Sequence, residues 1–277
     1  MNKVLNLFTP AEAAENYANT SVKKAQIPVA KGLILSILAG ALIAFPGAVT
    51  NMAGYGLTNN SVIRIISGLL FAFGLGMVIV SGAELFTGNT LMTIGVLDKR
   101  VKLLKVLRSW VIVYIGNFIG SILVAVVCAK FGWVDAGKGA LAVYSMKVAV
   151  GKMTMPFANA FFMGICCNVL VTLGVLFSLS AQDMTGRILG AYTPVAFFVI
   201  CGFNHSIADM FYCTLGLFCK PEYAAMAQEA GVAVEKLTWG NYFLGNMLPV
   251  TLGNIVGGVL VAFIFWYCHL RGTKKAQ

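Results

Sequence analysis

The sequence predicts an all-α polytopic membrane protein whose six transmembrane helices form two inverted three-helix repeats, with the second and fifth helices broken. Three observations carry that prediction. Of 277 residues, 59% are hydrophobic and only 11% charged, a balance too apolar for a soluble domain of this size. Two apolar stretches are interrupted at membrane depth by polar segments, Gly82-Ala83-Glu84-Leu85-Phe86-Thr87-Gly88-Asn89 and Gly202-Phe203-Asn204-His205-Ser206-Ile207-Ala208-Asp209. The pentapeptide Gly116-Asn117-Phe118-Ile119-Gly120 recurs as Gly253-Asn254-Ile255-Val256-Gly257.

The elements follow in chain order. Phe8-Thr9-Pro10-Ala11-Glu12 opens an amphipathic surface helix, capped by Thr9 with Pro10 at its first position. This segment lacks the apolar core of a signal peptide. Apolar windows of about 20 residues, the length that crosses a bilayer, lie near 29–50, 63–80, 110–131, 155–179, 188–203 and 243–267. A single membrane domain over 1–277 then divides into an N-terminal segment 1–28, a first repeat 29–131, a second repeat 155–268 and a tail 269–277. Three spans per half is an odd number, so the second repeat enters the membrane upside down. Gly-x-x-x-Gly spacing in both pentapeptides permits close backbone approach between helices. Pro249 removes a donor from the sixth span and predicts a kink there.

The net charge of +10 resolves into topology signals. Lys3, Lys23, Lys24 and Lys31, the cluster Lys99, Arg100, Lys102, Lys105 and Arg108, then Arg187, Arg271, Lys274 and Lys275 all fall on one side. By the positive-inside rule both termini are cytoplasmic. The expected location is the bacterial cytoplasmic (inner) membrane, as a multi-pass protein. Short juxtamembrane clusters without a soluble domain to present them argue against nucleic acid as a partner and leave membrane lipid. Lys23 and Lys24 fit either lipid head groups or a lid over the cytoplasmic mouth. The seven cysteines fall almost entirely within apolar spans and read as small buried hydrophobes. Neither Cys-x-x-Cys nor a Cys/His cluster of zinc spacing occurs, so no metal or other cofactor is expected.

Breaks within spans expose backbone groups that lipid cannot satisfy, so they must be packed in protein or line a wet cavity. One break per half points to a permeation path where the repeats meet. His205 is the only histidine deep in a span, and its unperturbed titration near pH 6.5 suits proton exchange. The plainer reading is a core histidine bonded to a carbonyl. Thr87 occupies the other break, where its hydroxyl would meet the imidazole or a passing solute, or cap Gly88-Asn89-Thr90. Glu84 and Asp209 are expected to accept hydrogen bonds from backbone N–H groups freed at the breaks. Asn117 and Asn254 either tie helices together or line the pore. Lys152, ahead of the fourth span, would concentrate anions at a pore mouth or snorkel at the interface. Phe71, Leu75, Leu85, Phe86 and Phe198 are of the type that forms apolar constrictions, although ordinary packing explains each. An intramembrane enzyme using Ser206 and His205 is disfavoured, because sequence neighbours project in different directions and no oxyanion motif accompanies them. A channel for water or glycerol is the remaining alternative, opposed by the absence of paired Asn-Pro-Ala signatures.

Four ordered motifs carry a resemblance over nearly the whole chain. They are Ala83-Glu84-Leu85-Phe86-Thr87-Gly88, Gly164-Ile165-Cys166-Cys167-Asn168 with Lys152 before it, Gly202-Phe203-Asn204-His205-Ser206-Ile207-Ala208, and Pro249-Val250-Thr251-Leu252-Gly253-Asn254. The chain resembles the formate/nitrite transporter family. That resemblance implies an aquaporin-like protomer, a homopentamer with one pore per protomer, and passage of small monovalent anions: formate, nitrite, hydrosulfide or related short acids such as lactate. It maps the family's central histidine onto His205, its loop threonine onto Thr87, its vestibule lysine onto Lys152 and a further polar path residue onto Asn168. Two apolar slits would be carried by Phe71, Leu75 and Phe86 on one side and by Leu85 and Phe198 on the other. Two departures bear on the substrate. Gly88 stands where formate channels tend to have serine, and Asp209 where asparagine is common among formate and nitrite members.

Overall fold

The computed structural model describes residues 7–272. Lys3, Lys274 and Lys275, with the rest of the tail beyond 272, lie outside the described residues. Among the described residues, six helical stretches are long and apolar enough to span a membrane. They are α2 (Val29–Gly54), α3 with α4 (Asn60–Phe71 and Phe73–Ser81), α7 (Leu103–Lys130), α9 (Phe157–Ser180), α10 (Met184–Cys201), and a π-helical turn Asn241–Met247 leading into α12 (Leu248–His269). Their outward faces stay apolar, as at Ile34, Leu123, Phe197 and Leu260, which is what lipid requires.

The third span starts seven residues ahead of its apolar window, because Lys105 and Arg108 ride on the helix itself. Long basic side chains at a span end reach back to the interface, so a purely apolar window misses that turn. Pro249 is preceded by the π-helical turn. Proline offers no N–H to the carbonyl four residues back, and the widened turn lies at that point.

Both breaks are present and shorter than the polar segments that announced them. Each opens on a left-handed glycine, Gly82 (φ 68°) and Gly202 (φ 76°), a conformation that penalises any Cβ. Helix resumes after three more residues, as α5 (Phe86–Asn89), a 3₁₀ turn and α6 (Thr93–Leu97) in the first half, and as α11 (Ser206–Glu229) in the second.

The two pentapeptides set the closest helix pairings. A Cβ at Gly120 would overlap the Ile37 carbonyl of α2, and one at Gly253 the Phe161 carbonyl of α9. The glycines therefore join α7 to α2 and α12 to α9 backbone to backbone.

Besides the spans and the helices that resume after the breaks, two further α-helices complete the fold among the described residues. α1 (Pro10–Ala25) carries the expected cap, completed as a reciprocal box in which Glu12 bonds back to Thr9. It buries Ala13, Ala14, Tyr17 and Ala18 against α6, α9 and α12. α8 (Ala140–Met153), which the sequence did not announce, packs on α11 and carries Lys152 in its last turn.

Candidate functional site

The two breaks are held by the same hydrogen bonds. Asn117 accepts from the Phe86 N–H (2.9 Å) and donates to the carbonyls of Glu84 (2.9 Å) and Ser36 (2.8 Å). Asn254 accepts from the Ser206 N–H (2.9 Å) and donates to the carbonyls of Asn204 (3.0 Å) and Gly164 (2.8 Å). Each asparagine thus satisfies backbone groups that the break would otherwise leave bare in a buried setting. Of the two roles open to them, the structure gives them the tie between helices.

Numbered from the glycine, the third residue of each break is Glu84 or Asn204, the fourth Leu85 or His205, and the eighth Asn89 or Asp209. Thr87 and His205 meet at the centre, with the Thr87 hydroxyl 2.8 Å from His205 Nε2. Both are buried. His205 also ends the break as the N-cap of α11, its Nδ1 accepting from the Ala208 N–H at 3.1 Å. That bond requires an unprotonated Nδ1, so the neutral ring carries its proton on Nε2 and donates it to Thr87. The Thr87 hydroxyl proton then has no protein acceptor among the described residues. Asn168 lies behind Thr87, its side-chain amide donating to the Thr87 carbonyl (3.3 Å), Thr90 Oγ1 (3.1 Å) and the Asn254 carbonyl (2.5 Å). It lines neither of the cavities that flank the pair, so its contact with a path residue is through the backbone.

One cavity, of about 160 Å3, is lined by His205, Phe71, Phe198, Lys152, Asp209 and Tyr212 among others. The second, of about 110 Å3, is lined by Leu75, Leu85, Val175, Tyr17 and Lys24 among others. The lining differs from the expected slit groupings. Phe71 pairs with Phe198, edge to face at 6.2 Å, and Phe198 stacks on His205 at 5.8 Å. Leu75 falls with Leu85 on the other side of the centre. Phe71 and Leu75 share a helix face, but one turn displaces them by about 5 to 6 Å along the axis, enough to separate them. Phe86 lines neither cavity and packs on Tyr114 (4.8 Å) and Trp110 (6.1 Å).

Each cavity holds a lysine paired with a buried carboxylate. Lys152 pairs with Asp209, approaches Asn204 Oδ1 at 3.3 Å and sits 5.3 Å from the centre of the Tyr212 ring. Lys24 pairs with Glu84 at 2.7 Å, and the other Glu84 oxygen accepts from Asn89 at 2.7 Å. The expectation that Glu84 and Asp209 collect backbone N–H groups is therefore corrected: their carboxylates take lysine and amide side chains, the backbone donor at each break having gone to an asparagine. The structure also adds Tyr17, whose hydroxyl donates to the Gly88 carbonyl at 2.9 Å. Burial, and secondarily the Glu84 charge, pushes the Tyr17 phenol well above its ordinary value, so it remains a donor. Lys24 was singled out from sequence only as a lysine for lipid head groups or a lid over the mouth, and Tyr17 not at all, because the docking of α1 under the first break is a tertiary contact. Aligning the breaks in register would have flagged Glu84 and Asn89 as a reversed copy of Asn204 and Asp209.

Paired helix breaks, each between a lysine-bearing cavity and a central polar contact, define a multi-pass membrane protein built around a transport site. Residues 11–267 match the sequence profile described as "Formate/nitrite transporter". The chain belongs to the formate/nitrite transporter family, whose members are channels and transporters. It is 36% identical to a probable formate transporter of Methanothermobacter thermautotrophicus, over 95% of this chain and 97% of that one. It is 33% identical to the formate channel FocA of Haemophilus influenzae, over 93% of each. Among solved structures, a pentameric formate channel with formate bound superposes with a TM-score of 0.77 at 31% identity, covering 88% of this chain and 98% of that one. An FNT family ion channel gives 0.80 at 25% identity, covering 92% and 98%.

Proposed function

We propose that this protein passes small monovalent anions, formate foremost, across the cytoplasmic membrane through one path per protomer of a homopentamer. Nitrite and hydrosulfide are the other candidate cargoes. Both termini would be cytoplasmic, with 29–131 and 155–268 acting as inverted halves. The observation that carries the reading is the Thr87–His205 contact between two cavities, each holding a lysine. Formate as the leading cargo rests on the relatives' descriptions.

The path would work in three stages. Lys152 raises the local anion concentration in its cavity through its field. Phe71 and Phe198 on one side, and Leu75 and Leu85 on the other, strip water from the solute. Between them the Thr87 hydroxyl proton supplies the polar foothold, kept free because His205 fills the hydroxyl's acceptor side. A second proton on His205 would have to go to Nδ1, which requires surrendering the Ala208 N–H bond that caps α11. The geometry therefore favours a foothold that hydrogen-bonds the anion over a histidine that protonates it.

The test is flux of formate, nitrite and hydrosulfide into proteoliposomes from pH 5 to 8, for the native protein and His205→Phe. Preferential formate flux that changes in the variant is the expected result. Equal flux of all three, unchanged in the variant, overturns the central role of His205. Glycerol permeation without anion flux would establish the neutral-solute alternative.

A further inference from the structure

We infer that Asn246, on the π-helical turn ahead of α12, is the positioning residue that holds Lys152 and its counter-ion in place, an inference that rests on Lys152 collecting anions in the first cavity. Asn246 is fully buried. Its amide nitrogen donates to Asp209 Oδ2 at 3.0 Å and to the main-chain carbonyl of Lys152 at 3.3 Å. The orientation of the amide is fixed by chemistry, since a flipped oxygen would face the Asp209 carboxylate. Lys152 lies in the last turn of α8, where carbonyls have lost their intrahelical donors. One side chain therefore serves both as a cap for that turn and as a ligand of the carboxylate.

The backbone geometry supports the same role. The preceding residue is Gly245, and a Cβ there would lie 2.5 Å from the Met153 carbonyl at the end of α8. The turn rests on the end of α8, and a glycine is what permits it. The turn is π-helical from Asn241 to Met247, a geometry often retained where it aims a side chain.

The consequence for transport follows from the two oxygens of Asp209. Asn246 engages Oδ2, so Oδ1 alone meets the ammonium. Of the two remaining ammonium protons one goes to Asn204, and the other is left for an anion in the cavity beside the Tyr212 ring. Without Asn246 the carboxylate is free to turn both oxygens onto Lys152, which would neutralise its field toward the cavity. The corresponding residue of the first half, counted eight before Asn117 as Asn246 is before Asn254, is Ser109, too short to make both bonds.

The test uses full-length pentamer in proteoliposomes, with formate flux measured across concentration and at two ionic strengths. Asn246→Leu is expected to raise the half-saturating formate concentration about five- to tenfold, as loss of a charge-assisted hydrogen bond would, with maximal flux changed less than about twofold and the salt dependence weakened. Gly245→Ala, which keeps the amide but displaces its turn, should shift half-saturation in the same direction by about half as much on a logarithmic scale, and it serves if Asn246→Leu fails to assemble. In a Lys152→Gln/Asp209→Asn background the expected further effect of Asn246→Leu is none. A full effect in that background, or unchanged half-saturation in both Asn246→Leu and Gly245→Ala, overturns the role of Asn246. Unchanged half-saturation and salt dependence in Lys152→Gln/Asp209→Asn alone overturns the reading of Lys152 instead.

Discussion

The first and second breaks share a frame and differ in what the frame presents. In both, a left-handed glycine ends one helix and an asparagine from a distant span engages the N–H of the fifth break residue and the carbonyl of the third. The fourth residue is Leu85 in one and His205 in the other. The carboxylate is the third residue of the first break and the eighth of the second, with an amide at the opposite place each time. The comparison teaches that backbone support and site chemistry are separable here. The asparagines hold main-chain atoms, while the break side chains decide what each cavity offers.

The strongest way to break the comparison is to remove the shared frame. Asn117→Ala and Asn254→Ala each strip three buried backbone groups of their partner, and an unpaired buried group costs about 1–3 kcal/mol. Both variants should lose about 3 kcal/mol or more, read as a large fall in thermal midpoint of the detergent-solubilised protein. Loss in one and not the other would show that the frames are not equivalent.

A medium effect separates charge from position. Asp209→Asn leaves Lys152 without a carboxylate, and removing one member of a buried pair costs about 3–5 kcal/mol, less here because the Lys152 side chain keeps 20% exposure. Asn204→Glu/Asp209→Asn copies the order of the first break and returns a carboxylate to within reach of Lys152. The double variant should recover most of the stability and flux that the single one loses. Failure to recover either would mean that the eighth position is specifically required.

Legibility from sequence followed the range of the interactions involved. The spans, the breaks and the glycine contacts are local or periodic, and the sequence displays them directly. The meeting of Thr87 with His205 was also legible, because one break per half implies a shared interface. Tyr17 and Asn246 were not legible, and the pairing of Lys24 with Glu84 was not either, since each acts on an element remote in sequence through a docking that no periodicity encodes. The cavities group the apolar side chains differently from the expected slits for a simpler reason: helical spacing gives the face of Phe71 and Leu75 but not which cavity each one reaches.

The smallest expected effect concerns α1, which brings Lys24 to the first break and has α8 as its counterpart at the second. The Thr9 backbone and side-chain hydrogen bonds hold the Glu12 carboxyl below its ordinary value. A group with a depressed folded value contributes stability above its unfolded value, near 4.5, and loses it as pH falls through the folded one. Protection of α1 amides from hydrogen exchange should therefore weaken slightly below about pH 4.5, and Glu12→Gln should remove that pH dependence. Unchanged pH dependence in the variant would show that Glu12 is not its source.

The crossbars formed by Asn117 and Asn254 also bear on how such a molecule can change over generations. Because each grips only main-chain atoms, a substitution at Glu84, Leu85, Asn204 or His205 leaves its three bonds chemically possible. A duplicated ancestor with this arrangement would have inherited two load points that must not drift and, beside each, a short stretch open to experiment. Leucine at one break and histidine at the other is the outcome such a division would give.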